Sequence, residues 1–330
     1  MLDRPVELSV LQGGVRRRRV SPLLVILLAT VAGAGGVGAW LATSGTEEAA
    51  GRAVVRPGPS FSGAKVAPPA PPPKLLSVQR PIARDRFGPP LSAHAAILVD
   101  DRTGAVLWAK REHVRLPIAS TTKILTAAIA LEHLASRDVV RIDPSVARAA
   151  PFREGLRAGE RVPAWKLFYG LMLYSGNDDA LALAIGAAGS RGAFLDRMNE
   201  RVRQLGLRNT HFTSPSGVLD RGNYSSAWDL AAITRYALQN PRLRTVVRTR
   251  VKRVAWPAPI YGKVYVNKNH LLGTYVGADG VKTGWTTRAG HCLVATAERS
   301  GIRLLAVVLR ANDMYGDVRR LLDYGFRTRG

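Results

Sequence analysis

Near its C-terminus the chain reads Gly280-Val281-Lys282-Thr283-Gly284, then Gly290-His291-Cys292-Leu293-Val294-Ala295-Thr296-Ala297-Glu298-Arg299, then Ile302-Arg303-Leu304-Leu305-Ala306-Val307-Val308-Leu309-Arg310. The runs are aliphatic and β-branched, and the breaks between them carry glycine, so they predict consecutive strands joined by short connections. Val318, Leu321, Leu322 and Phe326 then recur at helical spacing and predict a closing helix. At the other end of the same domain, Ala95-Ala96-Ile97-Leu98-Val99-Asp100 and Ala105-Val106-Leu107-Trp108-Ala109 flank Asp101-Arg102-Thr103-Gly104, the pattern of a hairpin with a glycine-closed turn.

Between these ends the period changes to that of helices. Residues 120–135 place Ile124, Ala128, Leu131 and Ala135 on one face, and residues 163–174 open with Pro163, which suits a first helical turn. Residues 192–205 repeat Phe194, Met198, Val202 and Leu205 before Gly206, and Ser226-Ala227-Trp228-Asp229 resembles a capping box with Asp in place of Glu or Gln. Strands, then helices, then strands and a last helix predict an α+β fold in which both ends of the domain complete one antiparallel sheet. This domain is expected to occupy residues 91–330.

The N-terminal part has a different character. Residues 1–19 end in Arg16-Arg17-Arg18-Arg19, and residues 20–43 carry no charge. Roughly 20 helical residues at about 1.5 Å each cross a hydrocarbon layer of about 30 Å. The arginines favour retention of that end in the cytoplasm. The expectation is a cytoplasmic basic tail (1–19), a single transmembrane signal anchor (20–43) and an extracytoplasmic remainder. Ala32-Gly33-Ala34 keeps a cleaved signal peptide, and hence a secreted protein, as the alternative. Residues 44–90 read as a linker containing Ala67-Pro68-Pro69-Ala70-Pro71-Pro72-Pro73, a polyproline segment.

The net charge is +24, of which +17 falls in residues 91–330. Such a field favours anionic lipid or anionic wall polymer as a partner, and Arg242, Arg244, Arg248, Arg250, Lys252 and Arg253 form its densest cluster. The same cluster also suits a charged edge strand in solvent. No nucleic-acid motif accompanies the charge, so nucleic acid is not expected as a partner. Cys292 is the single cysteine and lies in an apolar run, which excludes a disulfide framework and a thiolate metal cage. The six histidines form no H-E-x-x-H and read as structural; no metal or other cofactor is called for.

Three short strings carry chemistry. Ser120-Thr121-Thr122-Lys123 puts a hydroxyl and an amine one helical turn apart at a predicted helix start. A serine needs a base, worth roughly 10²–10⁴ in rate, and a lysine serves only if burial or a neighbouring cation favours its neutral form. Lys282 is a candidate for that cation. Alone, the string is weak, and Ser62-Gly63-Ala64-Lys65 in the linker repeats it without a helix pattern behind it. Ser175-Gly176-Asn177 follows an apolar helix end, where Ser175 can relay a proton and Asn177 can hold a substrate amide. Lys282-Thr283-Gly284 lies on a predicted strand, where Gly284 allows close approach of a ligand and the Trp285 N–H can join that of Ser120 at an oxyanion. Lys282 and Thr283 suit a substrate carboxylate.

In this order, and with Pro117-Ile118-Ala119, Gly206-Leu207-Arg208-Asn209-Thr210-His211-Phe212 and Tyr224-Ser225-Ser226-Ala227 around them, the strings resemble the low-molecular-mass penicillin-binding proteins, the serine-type D-alanyl-D-alanine carboxypeptidases. The resemblance covers roughly residues 91–330. It implies a β-lactamase/transpeptidase-like fold, removal of the terminal D-alanine from peptidoglycan stem peptides through an acyl-enzyme, and acylation by β-lactams. By position it implies Ser120 as nucleophile, Lys123 as its base and Ser175 in the second motif. Asn177, Lys282, Thr283, Gly284 and Trp285 then belong to the substrate site. Family members often carry an arginine upstream of the third motif; here Lys268 stands there, a point charge in place of a bidentate clamp. Many relatives place an anchor helix after the catalytic domain, whereas here the anchor is expected at the N-terminus.

A class A β-lactamase needs a glutamate in an E-x-x-L-N string for deacylation, and the one glutamate between Asn177 and Lys282, Glu200, lies in a different context. A long-lived penicilloyl adduct is therefore expected. D,D-endopeptidase action and a non-catalytic wall-binding role are the alternatives, the latter opposed by the intact motifs.

Overall fold

A computed structural model describes residues 75–77, 83–84, 88–218 and 221–329. The expected tail (1–19) and membrane segment (20–43) lie outside the described residues, as does most of the expected linker. Among the described residues no helix is long and apolar enough to cross a membrane.

The strands predicted from both ends of the domain meet in one sheet. Strands β2 (Ala95–Asp100) and β3 (Val106–Lys110) pair with β8 (Ala278–Thr286), β9 (Gly290–Arg299) and β10 (Ile302–Ala311), and a short edge strand β1 (Ala83–Arg84) completes the order β1-β3-β2-β10-β9-β8. All neighbours are antiparallel except β1 with β3. The β2–β3 turn closes through Gly104, at φ +78°, whose N–H donates to Asp100 O at 2.8 Å. Part of the stretch expected as linker belongs to the fold: β1 adds to β3, and Ser77 exchanges backbone hydrogen bonds with Gly104 and Val106. An otherwise open strand edge offers unpaired backbone groups, and this segment satisfies some of them.

The sheet is buried on both faces, which explains why β9 and β10 read as nearly continuous apolar runs. Leu304, Ala306 and Val308 point to one side, with Leu98, Trp108 and Leu293, and pack under Val318, Leu321 and Leu322 of the closing helix α7 (Met314–Arg329). Leu305, Val307 and Leu309 point to the other side with Ile97, Val99 and Val294, against the helical body.

That body comprises α1 (Lys123–His133), α2 (Ala164–Tyr169), α3 (Asn177–Ala188), α4 (Arg191–Gln204), α5 (Ala227–Ala237) and α6 (Pro241–Val247). Two ribbons flank it, β4 (Val139–Arg141) with β5 (Arg161–Pro163), and β6 (Val251–Ala255) with β7 (Gly262–Val266). Helix α1 differs from its one-faced pattern, since every residue from Lys123 to Leu131 is buried. It runs between β8 on one side and α3, α4 and α5 on the others, so a polar face would have no water to meet. The capping box at α5 is half formed. Ser226 Oγ accepts from Asp229 N at 3.1 Å, but the Asp229 carboxylate turns to Asn209 N and Thr210 Oγ1 instead of back to the cap. The dense arginine cluster is not one guarded strand: Arg242 and Arg244 sit on α6, Arg248 and Arg250 in the following turn, and Lys252 and Arg253 on β6.

Candidate active site

Ser120 lies in a single 3₁₀ turn, Ala119–Thr122, and α1 proper starts at Lys123. The helix start expected at Ser120 is thus displaced by one turn. Ala119 holds a left-handed conformation, φ +47°, costly for a residue with a Cβ. Two glycines make room for the turn. A Cβ on Gly217 would stand 2.1 Å from Ala119 O, and one on Gly284 would stand 2.9 Å from Ile118 O and 3.2 Å from Ser120 N. The glycine of the third motif is therefore required by the nucleophile's own turn, which packs against β8. Gly284 also lines the cleft, where a ligand was expected to approach.

Ser175 ends a π-helical turn, Gly170–Tyr174, and is also left-handed at φ +73°. Asn177 opens α3 immediately after it. This brings the second motif to the Lys123 amine, which lies 3.0 Å from Ser120 Oγ, 2.7 Å from Asn177 Oδ1 and 2.9 Å from Ser216 O. As an ammonium the group can donate to all three oxygens; as a neutral amine it keeps two donations, to Asn177 Oδ1 and Ser216 O, and can turn its lone pair to the Ser120 hydroxyl. Burial, and then the charge of Lys282, hold the Lys123 amine well below its ordinary value, while Asp179 opposes them. Both causes named from the sequence, desolvation and a second cation, are in place.

Lys282 is buried on β8 and its amine donates to Thr283 O at 3.1 Å. Burial, and then the charge of Lys268, bring it down to about 7. It is not among the residues that line the cleft, and its charge acts on Lys123. Thr283, Gly284, Trp285 and Lys268 do line the cleft, a hollow of about 540 Å³ onto which Ser120, Ser175 and Asn177 also open. Asn177 has one amide hydrogen committed to Pro151 O and one lone pair to Lys123, so half its capacity remains for a substrate amide.

Several contributors were not recognised from sequence. The Ser216 carbonyl is a main-chain group, and Ser214-Pro215-Ser216-Gly217 signals only a turn. His270 and His291, read as structural, line the cleft; His270 stacks on Tyr315 at 5.3 Å between ring centroids. Below the second motif lies a buried acid cluster. Asp178 accepts from the backbone N–H groups of Glu154, Gly155 and Leu156, and Glu154 pairs with Lys263 at 3.3 Å. The Asp179 carboxyl fills the space left by Gly170 and Gly176, and burial, then the adjacent Glu154, raise it well above the ordinary carboxylate range. Among the described residues no group of three or more His, Cys, Asp or Glu is placed to hold a metal ion.

Residues 83–313 match the profile of the family described as D-alanyl-D-alanine carboxypeptidase. The chain is 33% identical over 249 residues to the D-alanyl-D-alanine carboxypeptidase DacF of Bacillus subtilis, covering 71% of this chain and 62% of that protein. It thus spans less than two thirds of that relative. A D-alanyl-D-alanine endopeptidase of Pseudomonas aeruginosa is 32% identical over 263 residues, 78% of this chain and 81% of that protein. The crystal structure of the Streptomyces K15 DD-transpeptidase superposes with a TM-score of 0.69 at 32% identity, over 73% of this chain and 99% of that one. The architecture is therefore that of the DD-transpeptidases, an antiparallel sheet packed with helices.

Proposed function

Since the chain belongs to the D-alanyl-D-alanine carboxypeptidase family, we propose that it removes the terminal D-alanine from peptidoglycan stem peptides and is acylated at Ser120 by penicillin. The observation that carries this reading is the setting of the buried Lys123 amine, 3.0 Å from Ser120 Oγ and held by Asn177 Oδ1 and Ser216 O, where burial and Lys282 favour its neutral form.

Lys123 takes the Ser120 proton as Oγ attacks the penultimate D-alanyl carbonyl. The oxyanion is met by the Ser120 and Trp285 N–H groups, each such donor being worth roughly 10²–10³ in rate. The peptide C–N bond then breaks, and the proton passes from Lys123 through Ser175 to the departing D-alanine amine. Water enters and repeats the sequence in reverse roles, releasing the shortened peptide and restoring Ser120. Lys268 and Thr283 hold the terminal carboxylate at the cleft wall. Trp285, about half exposed, flanks them. No glutamate is among the described residues that line the cleft, so a penicilloyl group stays on Ser120.

Residues 1–19 remain in the cytoplasm, 20–43 anchor the chain in the cell membrane, and the domain after residues 44–90 works outside. The uncharged 20–43 segment and the arginines before it support this.

The test pairs mass spectrometry after benzylpenicillin with D-alanine release from a pentapeptide. A stable penicilloyl increment on the wild type, none on Ser120→Ala, and free D-alanine are expected. Cleavage of crosslinked dimers with no release from pentapeptide would assign the endopeptidase reading. An inert protein would leave wall binding.

A further inference from the structure

The β6–β7 ribbon holds none of Ser120, Lys123, Ser175 or Lys282, yet its outward face leaves three valines in water beside Arg253. Both strands show the same alternation, with Val254 and Tyr265 turned inward. Val251 stands opposite Val266, Arg253 opposite Val264 and Ala255 opposite Gly262, so these six share the outward face. Val251, Val264 and Val266 are 49, 56 and 60% exposed, and the connecting turn adds Ile260 and Tyr261, the latter 75% exposed. Isolated surface aliphatics need no explanation, but three valines, an isoleucine and a tyrosine on one ribbon form a patch of the kind that marks an interaction site.

The charge around the patch is of one sign. From residue 241 to 278 the sequence has eight Lys and Arg and no Asp or Glu. Arg253 sits on the face and exposed Arg250 precedes it. Lys252 lies over the half-buried rings of Trp165 and Tyr169, 5.7 and 5.1 Å from their centroids. Lys166, from α2, donates to Ala255 O at the ribbon's edge. The neighbouring acids are engaged: Glu160 accepts from the Trp256 indole at 2.7 Å and Glu154 pairs with Lys263.

We propose that this face docks on the anionic surface of a lipid bilayer, with residues 257–261 entering the headgroup boundary and Arg250 and Arg253 at the lipid phosphates. Exposed aliphatics, tyrosine and a rim of Lys and Arg without carboxylates are the composition that such a boundary takes up. A soluble polyanion would match the cations but leave the valines in water. The uncharged segment 20–43 supplies a tether, so weak docking is enough at the resulting local concentration. Strand β7 leads within two residues to Lys268 on the cleft wall, so docking would bring the cleft near peptides still attached to lipid. The assignment concerns a surface and goes beyond the hydrolase reading.

The sole cysteine, Cys292, is buried, which leaves an engineered cysteine as the accessible thiol. The full chain carrying Tyr261→Cys is labelled with an environment-sensitive fluorophore and reconstituted into vesicles of phosphatidylcholine alone or with about 30% anionic phosphatidylglycerol, which gives the surface a negative potential. A blue shift and quenching by lipid-borne quenchers are expected with phosphatidylglycerol only, falling with salt, and absent for a label at Val114→Cys. Arg250→Glu with Arg253→Glu is expected to lower the docked fraction at least tenfold while penicillin acylation stays at the wild-type rate, which shows the fold intact. Equal, water-like emission in both vesicle types would overturn the proposal. So would a shift produced by a soluble polyphosphate or by a second unlabelled copy without lipid, which would reassign the face to a wall polymer or to self-association.

Discussion

Substituting Gly284 by alanine should displace the nucleophile's turn without altering the Ser120 or Lys123 side chain. The added Cβ would stand 2.9 Å from Ile118 O, 3.1 Å from Thr121 N and 3.2 Å from Ser120 N. Contacts of that kind relax to about 3.4 Å or more, so the turn and β8 must part by roughly 0.3–0.5 Å. All three atoms are main chain, in a turn already strained at Ala119 and pressed by Gly217, so no flexible side-chain tip can yield. Overpacking of this kind costs about 1–3 kcal/mol. For a domain of this size each kcal/mol lowers Tm by about 2–4 °C, giving a fall of roughly 2–12 °C. The kinetic effect adds to this, because the 3.0 Å contact between Ser120 and Lys123 moves with the turn. A misplacement near 1 Å costs about 10²-fold, so a smaller shift should slow acylation roughly 10-fold or somewhat more. The assay is the second-order rate of acylation by a fluorescent penicillin, beside thermal unfolding followed by near-UV circular dichroism. Gly262→Ala is the control, since its Cβ would meet only Val254 O, at 3.7 Å. Unchanged rate and Tm in Gly284→Ala, or an equal fall in Gly262→Ala, would refute the reasoning.

Lys282→Met removes the cation that, after burial, most depresses Lys123, so the Lys123 amine rises and the acid limb of the acylation pH profile moves to higher pH; a limb that stays in place contradicts the tuning role. Lys268→Ala should raise KM for a peptide with a free C-terminal carboxylate by roughly 3- to 10-fold, with kcat little changed, as befits one partly exposed charge. Equal losses for the corresponding peptide amide would argue against a carboxylate contact. Asp179→Asn tests the buried acid cluster. The folded-state Asp179 is raised above its ordinary value by burial and Glu154, so between about pH 4 and its raised value the folded state binds more protons than the unfolded one. Its contribution is present below that window and lost as pH rises through it. The variant should keep the fold and show a flatter decline of Tm from pH 4 to 9, whereas an unchanged slope would place the ionisation elsewhere.

Much of the site was legible because each motif states its chemistry locally. Ser120 and Lys123 are one turn apart, so their meeting follows from helical spacing whichever turn starts the helix. The α+β layout was legible for a similar reason, since the runs at 290–299 and 302–310 leave little choice but buried neighbouring strands. Less legible were roles carried by main-chain atoms or by removed atoms. Ser216 O holds Lys123 through a carbonyl that any residue would supply. Gly284 and Gly217 matter through what they lack, and the partner they make room for is far away in sequence. Asp229 broke the capping-box expectation because a tertiary partner, the 209–210 turn, offered its carboxylate better-placed donors than the cap did.

By itself, the order of residues determined the strand–helix–strand succession, the nucleophile and amine pair, and the charge of the domain, since all three depend on spacing along the chain. Only the folded arrangement decided that Lys282 is buried, that α1 is buried from Lys123 to Leu131, and that His270 and His291 line the cleft. These depend on which distant segments pack together. The state of Lys123 rests on the water they exclude and the charges they bring near, quantities that no local string contains.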